Sequence, residues 1–308
     1  MVNFVASRLL SALVVVLGVS CIVFLFIHMI PGDPVEVMLG ESARPADREA
    51  LREALGLNLP ILQQLQHYYI GLFQLDLGHS LHSSRPVLDL LIERIPATVE
   101  LALASLIVAV IIAFPLGTIA AVRQHTLWDQ GAMGFALIGV SIPNFVMGPL
   151  LILLFSVTLA WLPVSGREGF ASLLLPAITL GSALAAVLSR MVRASLLEVL
   201  SEDYVRTARA KGLSEWRVVW GHGVRNALLP VITLLGLQLG VLLGGAVITE
   251  TIFSWPGIGQ LTIEAIQRRD YPVLQACVLL ISLVYVVVNT LTDLAYGWLD
   301  PRIRLGEG

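Results

Sequence analysis

Residues 101 to 122 read LALASLIVAVIIAFPLGTIAAV, a run without a single Asp, Glu, Lys or Arg. A helix needs about 20 such residues to cross the hydrocarbon core of a membrane, so this run predicts a membrane-spanning helix. The composition agrees, because 56% of the 308 residues are hydrophobic and only 13% are charged, whereas soluble domains carry about 25% charged residues. A water-soluble globular protein is therefore excluded.

Seven stretches of at least 20 residues lack charged side chains, and six of them are predicted to span the membrane. The seventh, 54–75, is rejected because it contains four glutamines and other polar groups that hydrocarbon disfavours. The first run follows Arg8 and is too long for the apolar part of a signal peptide, so we predict an uncleaved helix. The six predicted spans cover about 9–30, 100–122, 131–160, 171–190, 228–250 and 272–295.

The distribution of basic residues predicts the orientation of the chain. With six spans both termini lie on one side, and the segments on that side hold 11 of the 19 Lys and Arg residues. The opposite side holds eight, but five of these lie in the long loop 33–99, and loops of about 60 residues or more hardly influence orientation. Both termini are therefore predicted to be cytoplasmic.

The third predicted span is interrupted by prolines. Residues 130–166 are too long for one straight helix, and they contain Pro143, Pro149 and Pro163. Proline removes a backbone donor and bends or breaks a helix. We therefore expect a kinked span that is preceded by a cytoplasmic turn.

The external loop subdomain, 33–99, contains a mixed-charge segment. Arg48, Glu49, Arg52 and Glu53 occur at helical spacing, and Gly56 fits the position of a helix stop. The segment therefore predicts a short helix whose charged face is either simply solvated or a docking surface for an external partner.

The internal segment 191–227 predicts a hairpin of two helices. Ser201 precedes two acidic residues and is predicted to cap a helix that runs to about Lys211. Gly212 fits the left-handed position after the helix, and Ser214 is predicted to cap a second helix. The two helices carry apolar and aromatic side chains: Tyr204, Ala208, Trp216, Val219 and Trp220. A plain linker would not need them, so we predict a docking element.

Several kinds of chemistry are missing from the sequence. A net charge of -3 offers no basic excess for nucleic acid. Lys211 is the only lysine and follows an alanine, so no Gly-Lys-Ser/Thr phosphate loop exists. The common hydrolase motifs are absent, and Cys21 and Cys277 lie in apolar runs, which excludes a Cys zinc site and a disulfide framework. We predict no catalytic, metal or cofactor residue.

The spans contain few polar side chains that could form a pathway or gate. The predicted set is Asn144, Gln238, Gly244, Gly245 and Glu250. Gly236, Gly240 and Gly244 also form a small-residue seam for close helix contact. No ionisable group lies at mid-membrane, which disfavours a gradient-driven carrier without excluding one. An intramembrane enzyme would need a nucleophile paired with a base inside the spans, and none is found.

Residues 203–212 resemble the coupling motif of ABC importer permeases, Glu-Ala-Ala-x-x-x-Gly. Arg206 and Thr207 replace its first two residues, whereas Ala208 and Gly212 match. The Leu-Pro ending of the motif is displaced to 229–230, as is typical of the dipeptide, oligopeptide and nickel permeases. Other segments are similar to that branch: Pro31-Gly32-Asp33-Pro34, Asp76-Leu77-Gly78-His79-Ser80, Arg85-Pro86-Val87, Trp255-Pro256-Gly257-Ile258-Gly259, Arg269-Asp270-Tyr271-Pro272 and Asp300-Pro301-Arg302.

The resemblance implies an all-α, type I ABC importer permease in a bacterial inner membrane. It implies that a second, homologous permease completes the pathway, that two ATPase subunits bind ATP and Mg, and that an extracytoplasmic binding protein delivers the solute. The likeness is to the first permease of dipeptide or glutathione systems, with nickel or a metal chelate as the alternative cargo. No charged pair in the spans matches a peptide, so selectivity is assigned to the binding protein.

The resemblance and the predicted topology assign two sets of contact residues. The set that couples to the ATPases is Glu202, Asp203, Tyr204, Arg206, Thr207, Ala208, Ala210, Gly212 and Leu213. The set that contacts the binding protein is Trp255, Arg268, Arg269 and Asp270. The second set lies in one of the two sizeable segments predicted outside the membrane on the external side.

Overall fold

A computed structural model of the chain describes residues 2–29, 35, 39, 44–54 and 56–299. The regular structure of these residues is helical, with one isolated bridge between His79 and Pro86, and the predicted all-α class is confirmed. The motifs at 31–34 and 300–302 lie outside the described residues. The α-helices are α1 (Val2–Met29), α2 (Pro45–Ala54), α3 (Ile61–Phe73), α4 (Val87–Val122), α5 (Leu127–Ser141), α6 (Asn144–Leu151), α7 (Phe170–Leu200), α8 (Asp203–Ala210), α9 (Arg225–Ile252), α10 (Ile258–Arg268) and α11 (Tyr271–Leu299).

Three of these helices, α4, α7 and α11, are long and apolar enough to cross a membrane. Two bent pairs also qualify if each is one span: α5 with residues 144–158, and residues 217–228 with 230–240. Helix α1 covers the first predicted span, but its apolar part, Leu10–Leu25, is shorter than a span. The described residues thus contain three to five candidate spans, where the sequence predicts six.

Two helices extend well beyond the predicted spans. Helix α4 begins at Val87 rather than at residue 100, and α7 continues to Leu200 rather than ending at 190. At 1.5 Å per residue, the extra part of α7 adds about 15 Å to its length. Helix α7 therefore carries the chain directly to the start of the predicted hairpin.

The third predicted span is broken rather than kinked. Helix α5 and the segment that begins with α6 meet at an angle of 102°. Ile142 has an extended backbone, with ψ 113°, because the ring of Pro143 disfavours the helical conformation in the residue before it. Pro149 lies within α6. A π-helical turn, Ile152–Thr158, then continues the segment.

The short helices α2 and α3 agree with the sequence. Helix α2 is the predicted mixed-charge helix, and Gly56, which was predicted to stop it, has a left-handed conformation with φ +68°. Helix α3 has 13 residues, which is too short for a span, so the rejection of 54–75 is supported.

The chain forms two compact units. The first comprises residues 1–98 and 256–287. Its core packs the start of α4 against α10 and the first turns of α11, through a buried cluster: Val87, Leu91, Ile258, Leu261, Ala265, Val273, Ala276 and Cys277. The hydroxyl of Thr98 accepts a hydrogen bond from the Ile258 N–H at 2.8 Å, within the same unit.

The second unit comprises residues 99–255 and 288–308. Its centre is a crossing of α4 and α7 at which the backbones nearly touch. A Cβ atom on Gly181 would lie 2.6 Å from the carbonyl oxygen of Ser105, and one on Gly117 would lie 2.6 Å from that of Ser189. Only glycine allows this approach. This pair of glycines was not predicted from the sequence, in which the regularly spaced glycines of α9 are more conspicuous.

An ion pair fastens α5 to α7 in the same unit. Arg193 donates from Nε and Nη2 to the two carboxylate oxygens of Asp129, both at 2.7 Å. Asp129 is buried and also accepts the His125 N–H at 3.1 Å. This pair fixes the first turn of α5 after the tight turn at residues 123–126. It was not identified from the sequence, because the two residues are far apart in the chain.

The glycine seam of α9 contacts another helix at Gly236. A Cβ atom on Gly236 would lie 2.7 Å from the side chain of Thr292 on α11. The predicted close contact is thus confirmed at Gly236, where the partner helix lies within this chain. Gly240 is buried, and Gly244 lies on α9 among residues whose surroundings are outside the described part.

Candidate functional site

The predicted hairpin begins with the short helix α8. It starts at Asp203, with Glu202 at the N-cap. The prediction that Ser201 is the N-cap is wrong, because α7 continues to Leu200 and Ser201 is its C-cap residue. The Ser201 hydroxyl accordingly donates backwards, to the Glu198 carbonyl at 2.7 Å.

Gly212 forms the corner of the hairpin. Its φ is +78°, which confirms the predicted left-handed conformation. The Gly212 N–H donates to the Arg209 carbonyl at 2.9 Å, and the Leu213 N–H donates to the Ala208 carbonyl at 3.4 Å. These two bonds are the pattern of a Schellman helix end. A Cβ at Gly212 would meet nothing within 4 Å, so backbone conformation rather than space selects glycine here.

Two kinds of contact hold the corner in shape. Arg209 on α8 pairs with Glu215 beyond the corner, with 2.9 Å between Nε and Oε1. Below the pair, Val205, Ala208 and Val218 form a buried cluster. Because the ion pair is exposed, it contributes little stability by itself. The apolar cluster is therefore the main contact that holds α8 against the rest of the hairpin.

The second half of the hairpin is continuous with α9. Helical structure begins at Glu215, passes through a π-helical turn, Arg217–Val224, and enters α9 at Arg225. The sequence predicts a hairpin helix followed by a separate span, whereas the structure has one continuous helical segment that bends by 50° between residues 217–228 and 230–240. Asn226 on α9 donates its amide to the Tyr204 hydroxyl at 2.9 Å. Helix α8 is thus attached to α7 by the chain and to α9 by side chains.

Most of the predicted coupling residues form an exposed face. Those with exposed side chains or backbone are Glu202, Asp203, Tyr204, Arg206, Thr207, Ala210 and Gly212. Ala208 is buried in the cluster with Val205, and Leu213 is half-buried against the same cluster. The prediction that Ala208 and Leu213 belong to the docking face is therefore corrected, because their side chains point into the chain's own interior.

The predicted pathway residues lie on two elements. Asn144 is half-buried and begins α6, immediately after the sharp break. Gln238 is half-buried on α9, and Glu250 is completely buried near the end of that helix. Their separation in sequence corresponds to about 18 Å along the helix, so these two side chains lie at different depths. Gly244 and Gly245 are on α9 between them.

The predicted external contact residues divide into buried and exposed ones. Trp255 is fully buried, with the Arg167 guanidinium 5.8 Å from its ring centroid. Asp270 is also buried and accepts hydrogen bonds from the Ser80 hydroxyl at 2.5 Å and the Leu81 N–H at 3.1 Å. Neither side chain offers a surface to a partner, which corrects the prediction. Arg268 and Arg269 remain exposed at the end of α10.

Asp270 therefore has a structural role in holding the loop 79–85, and this role is testable. Replacing Asp270 with alanine leaves two donors unpaired, at a cost of about 1–3 kcal/mol for each buried donor. We expect faster amide hydrogen exchange in 79–85, measured by mass spectrometry. The control is Asp76→Ala, because Asp76 is exposed and its carboxylate accepts the Gly78 N–H at 3.0 Å. Equal exchange in both variants would contradict this role.

An exposed helix, a glycine corner and a second helix thus connect two long apolar helices, α7 and α9. Family models match nearly the whole chain: the N-terminal membrane component of binding-protein-dependent transport systems at residues 1–102, and their inner membrane component at residues 113–305. The chain belongs to this family of inner-membrane permeases. It is a transport subunit of an ATP-driven ABC importer and not an enzyme.

Curated relatives agree over the full length. The glutathione transport system permease protein GsiC of Escherichia coli (strain K12) is 46% identical over 304 residues, with 99% of each chain covered. The protein of the same name from Shigella flexneri serotype 5b (strain 8401) is 45% identical over 304 residues, again with 99% of each chain covered. These relatives confirm the predicted branch of the family.

Solved structures show the same fold at low identity. The MetNI methionine ABC transporter, in inward-facing conformations, has a chain that matches with a TM-score of 0.59 and 18% identity, covering 68% of this chain and 96% of that one. A chain of an amino acid ABC transporter matches with a TM-score of 0.53 and 14% identity, covering 68% and 93%. The fold is thus that of type I ABC importer permeases, and the family implies ATPase and binding-protein partners.

Proposed function

We propose that this permease carries glutathione or another small peptide inward, as half of a pathway that a second, homologous permease completes. The observation that carries the proposal is the 46% identity to glutathione permeases along 99% of both chains. Nickel or a metal chelate is the alternative cargo within the same branch. In both cases two ATPase subunits hold ATP and Mg, and a binding protein delivers the solute.

The proposed topology has six spans, with both termini and the hairpin in the cytoplasm. The excess of Lys and Arg in the segments on that side supports it. The α4–α7 crossing also fits, because residue 105 faces 181 and residue 117 faces 189, so the two helices run in the same direction. Spans two and four must do so in this topology. Alkaline phosphatase fused after residue 75 should be active, and fused after residue 211 it should be inactive.

The hairpin is the proposed coupling element, and its attachment suggests how it works. The exposed face of α8 docks on an ATPase, and closure of the two ATPases on ATP displaces it. Because α8 is fastened to α7 and α9 through the Val205 cluster and Tyr204, both long helices move with it. The ATPases thus favour one of two global states of the pathway by differential contact, which is the physical content of coupling.

Transport in a defined system tests the function. Both permeases, the ATPases and the binding protein would be reconstituted in vesicles, and the uptake of labelled glutathione, a dipeptide and Ni²⁺ would be compared. We expect glutathione or dipeptide uptake that requires ATP and the binding protein. ATP-dependent uptake of Ni²⁺ alone would favour the alternative cargo. Uptake of any of these without ATP would contradict the coupling proposal.

Arg268 and Arg269 are proposed to contact the binding protein. Reversing both charges in an Arg268→Glu, Arg269→Glu variant should weaken docking, because exposed pairs contribute about 0.2–1 kcal/mol each. We expect the binding-protein concentration that half-maximally stimulates ATPase activity to rise about tenfold at low salt. The difference should shrink at high salt, where exposed charges are screened. An unchanged concentration at low salt would place the contact elsewhere.

A further inference from the structure

A groove of about 580 Å³ opens in the second compact unit, where α4 ends beside the hairpin. Its walls are the last turns of α4, the first turn of α5 and the helical start of residues 215–220. The lining is mainly apolar and aromatic, and its main members are Pro115, Ile119, Val122, Trp128, Trp216 and Trp220. The groove is separate from the exposed face of α8 and from the predicted pathway residues, so the proposed function does not account for it.

The tryptophans of the groove are unusually open to the surroundings. Trp128 is 63% exposed and Trp216 is 71% exposed. Trp216 also packs on Trp220, with ring centroids 5.3 Å apart. Tryptophan is enriched where hydrocarbon meets water, because its ring is apolar and its N–H is polar. In the proposed topology this end of α4 lies at the cytoplasmic surface, so the groove opens at the level of the lipid headgroups.

The charge at the mouth of the groove is positive. The Arg123 guanidinium lies 4.9 Å from the ring centroid of Trp128. No carboxylate forms a salt bridge with Arg123 in the part of the chain that the structure describes. The other charged lining residue, Glu215, is already neutralised by Arg209 at 2.9 Å. An anionic group at the mouth would therefore meet one available cation.

The distribution of apolar surface and charge fits one class of amphipathic molecule. From Pro115 to Arg123 the α4 wall is about 12 Å long, apolar along its length and cationic at its end. A phospholipid has the same arrangement, with an acyl chain that ends at a charged headgroup. A partner protein would also cover apolar surface, but the position at the interface and the cation favour lipid.

We propose that this groove binds an anionic phospholipid of the cytoplasmic leaflet. The acyl chain lies against Pro115, Ile119 and Val122, and the headgroup phosphate pairs with Arg123. The proposal rests on the topology proposed above, but it is independent of the transported solute and of coupling. Because Trp216 follows the Gly212 corner closely, the bound lipid contacts the base of the hairpin.

Photo-crosslinking of lipids tests the site in the intact transporter. The complete complex would be placed in nanodiscs of phosphatidylcholine that contain a small fraction of phosphatidylglycerol or phosphatidylcholine with a diazirine in the acyl chain. Crosslinked peptides of this chain would be located by mass spectrometry. One basic residue at an anionic surface is worth about 1 kcal/mol, so we expect about fivefold more crosslinking of residues 115–122 by phosphatidylglycerol.

Three variants make the result specific. Arg123→Gln should abolish the fivefold preference, and Arg123→Lys should keep it because the charge remains. Arg190→Gln is the matched control, since Arg190 is exposed on α7 but does not line the groove, and it should also keep the preference.

Equal crosslinking by both lipids in the unmodified complex would overturn the proposal. Absence of lipid crosslinks at 115–122, as expected if a partner protein covers the groove, would overturn it too. The vesicle uptake assay shows separately whether the proposed function has failed. The alkaline phosphatase fusions show separately whether the proposed topology has failed.

Discussion

Uptake should fall to background when Gly212 is replaced by aspartate, while the permease still inserts and assembles with its partner permease. The left-handed backbone at Gly212 costs other residues about 1–2 kcal/mol, which is too little to unfold a bundle of long helices. The new side chain has free space within the chain and therefore projects from the corner. In the docked complex it would place an unpaired charge against the ATPase, which interfaces tolerate poorly.

The same substitution at Gly221 is the matched control. Gly221 is also exposed, lies in the hairpin and has open space at its Cβ, but it lies within helical structure. Purified complexes would be compared for retained ATPase subunits, for ATPase activity stimulated by the loaded binding protein, and for uptake. We expect Gly212→Asp alone to release the ATPases or to hydrolyse ATP without regard to the binding protein. Normal retention, stimulation and uptake in Gly212→Asp would show that this hairpin is not the coupling element.

The second large effect is expected at Gly181, where a leucine should prevent stable folding of the α4–α7 crossing. A Cβ would already lie 2.6 Å from the Ser105 carbonyl and 3.2 Å from the Cβ of Val108. Both helices would have to separate, and overpacking of this kind costs about 1–3 kcal/mol or more. Because close backbone contact contributes much of the attraction between helices in lipid, we expect little assembled permease in the membrane.

Gly134→Leu provides the control for this prediction. Gly134 lies on α5, and a Cβ there would meet nothing within 4 Å, so the same added volume should be harmless. The measurements are the amount of permease that copurifies with its partners and the temperature at which the detergent-solubilised protein aggregates. A Gly181→Leu protein that assembles as well as Gly134→Leu would mean that α4 and α7 are not closely packed in the assembled transporter.

The sequence predicted features that depend on local interactions. Gly56 and Gly212 were placed correctly because a helix end with a left-handed residue is encoded within a few neighbouring positions. The apolar runs located α4, α7 and α11, since the hydrocarbon core selects for composition over about 20 residues.

Features that depend on distant residues were missed. The ends of α4 and α7 beyond the spans are set by tertiary packing and not by hydropathy. The pairing of Asp129 with Arg193 joins positions 64 residues apart, and one sequence carries no signal for it. Asp270 was assigned to a partner contact because its segment is one of the two sizeable ones predicted outside the membrane on the external side, whereas its side chain is bound inside by Ser80 and Leu81. A buried acid with distant partners cannot be distinguished from an exposed one by composition.

The unbroken helical segment from Glu215 into α9 restricts how this part of the chain tolerates insertions and deletions. Each residue turns an α-helix by about 100°, and a π-helical turn differs from an α-helical one by a single residue. Loss of one residue within 217–224 would convert the π-helical turn to α-helix with little change in the phase of α9, whereas loss of a second residue would rotate α9 by about 100° relative to the corner. The Asn226 amide would then face away from Tyr204. Hairpins exchanged between transporters must therefore keep their residue count to within one, whereas the turns at 56–60 and 74–86 are not helical and transmit no helical phase.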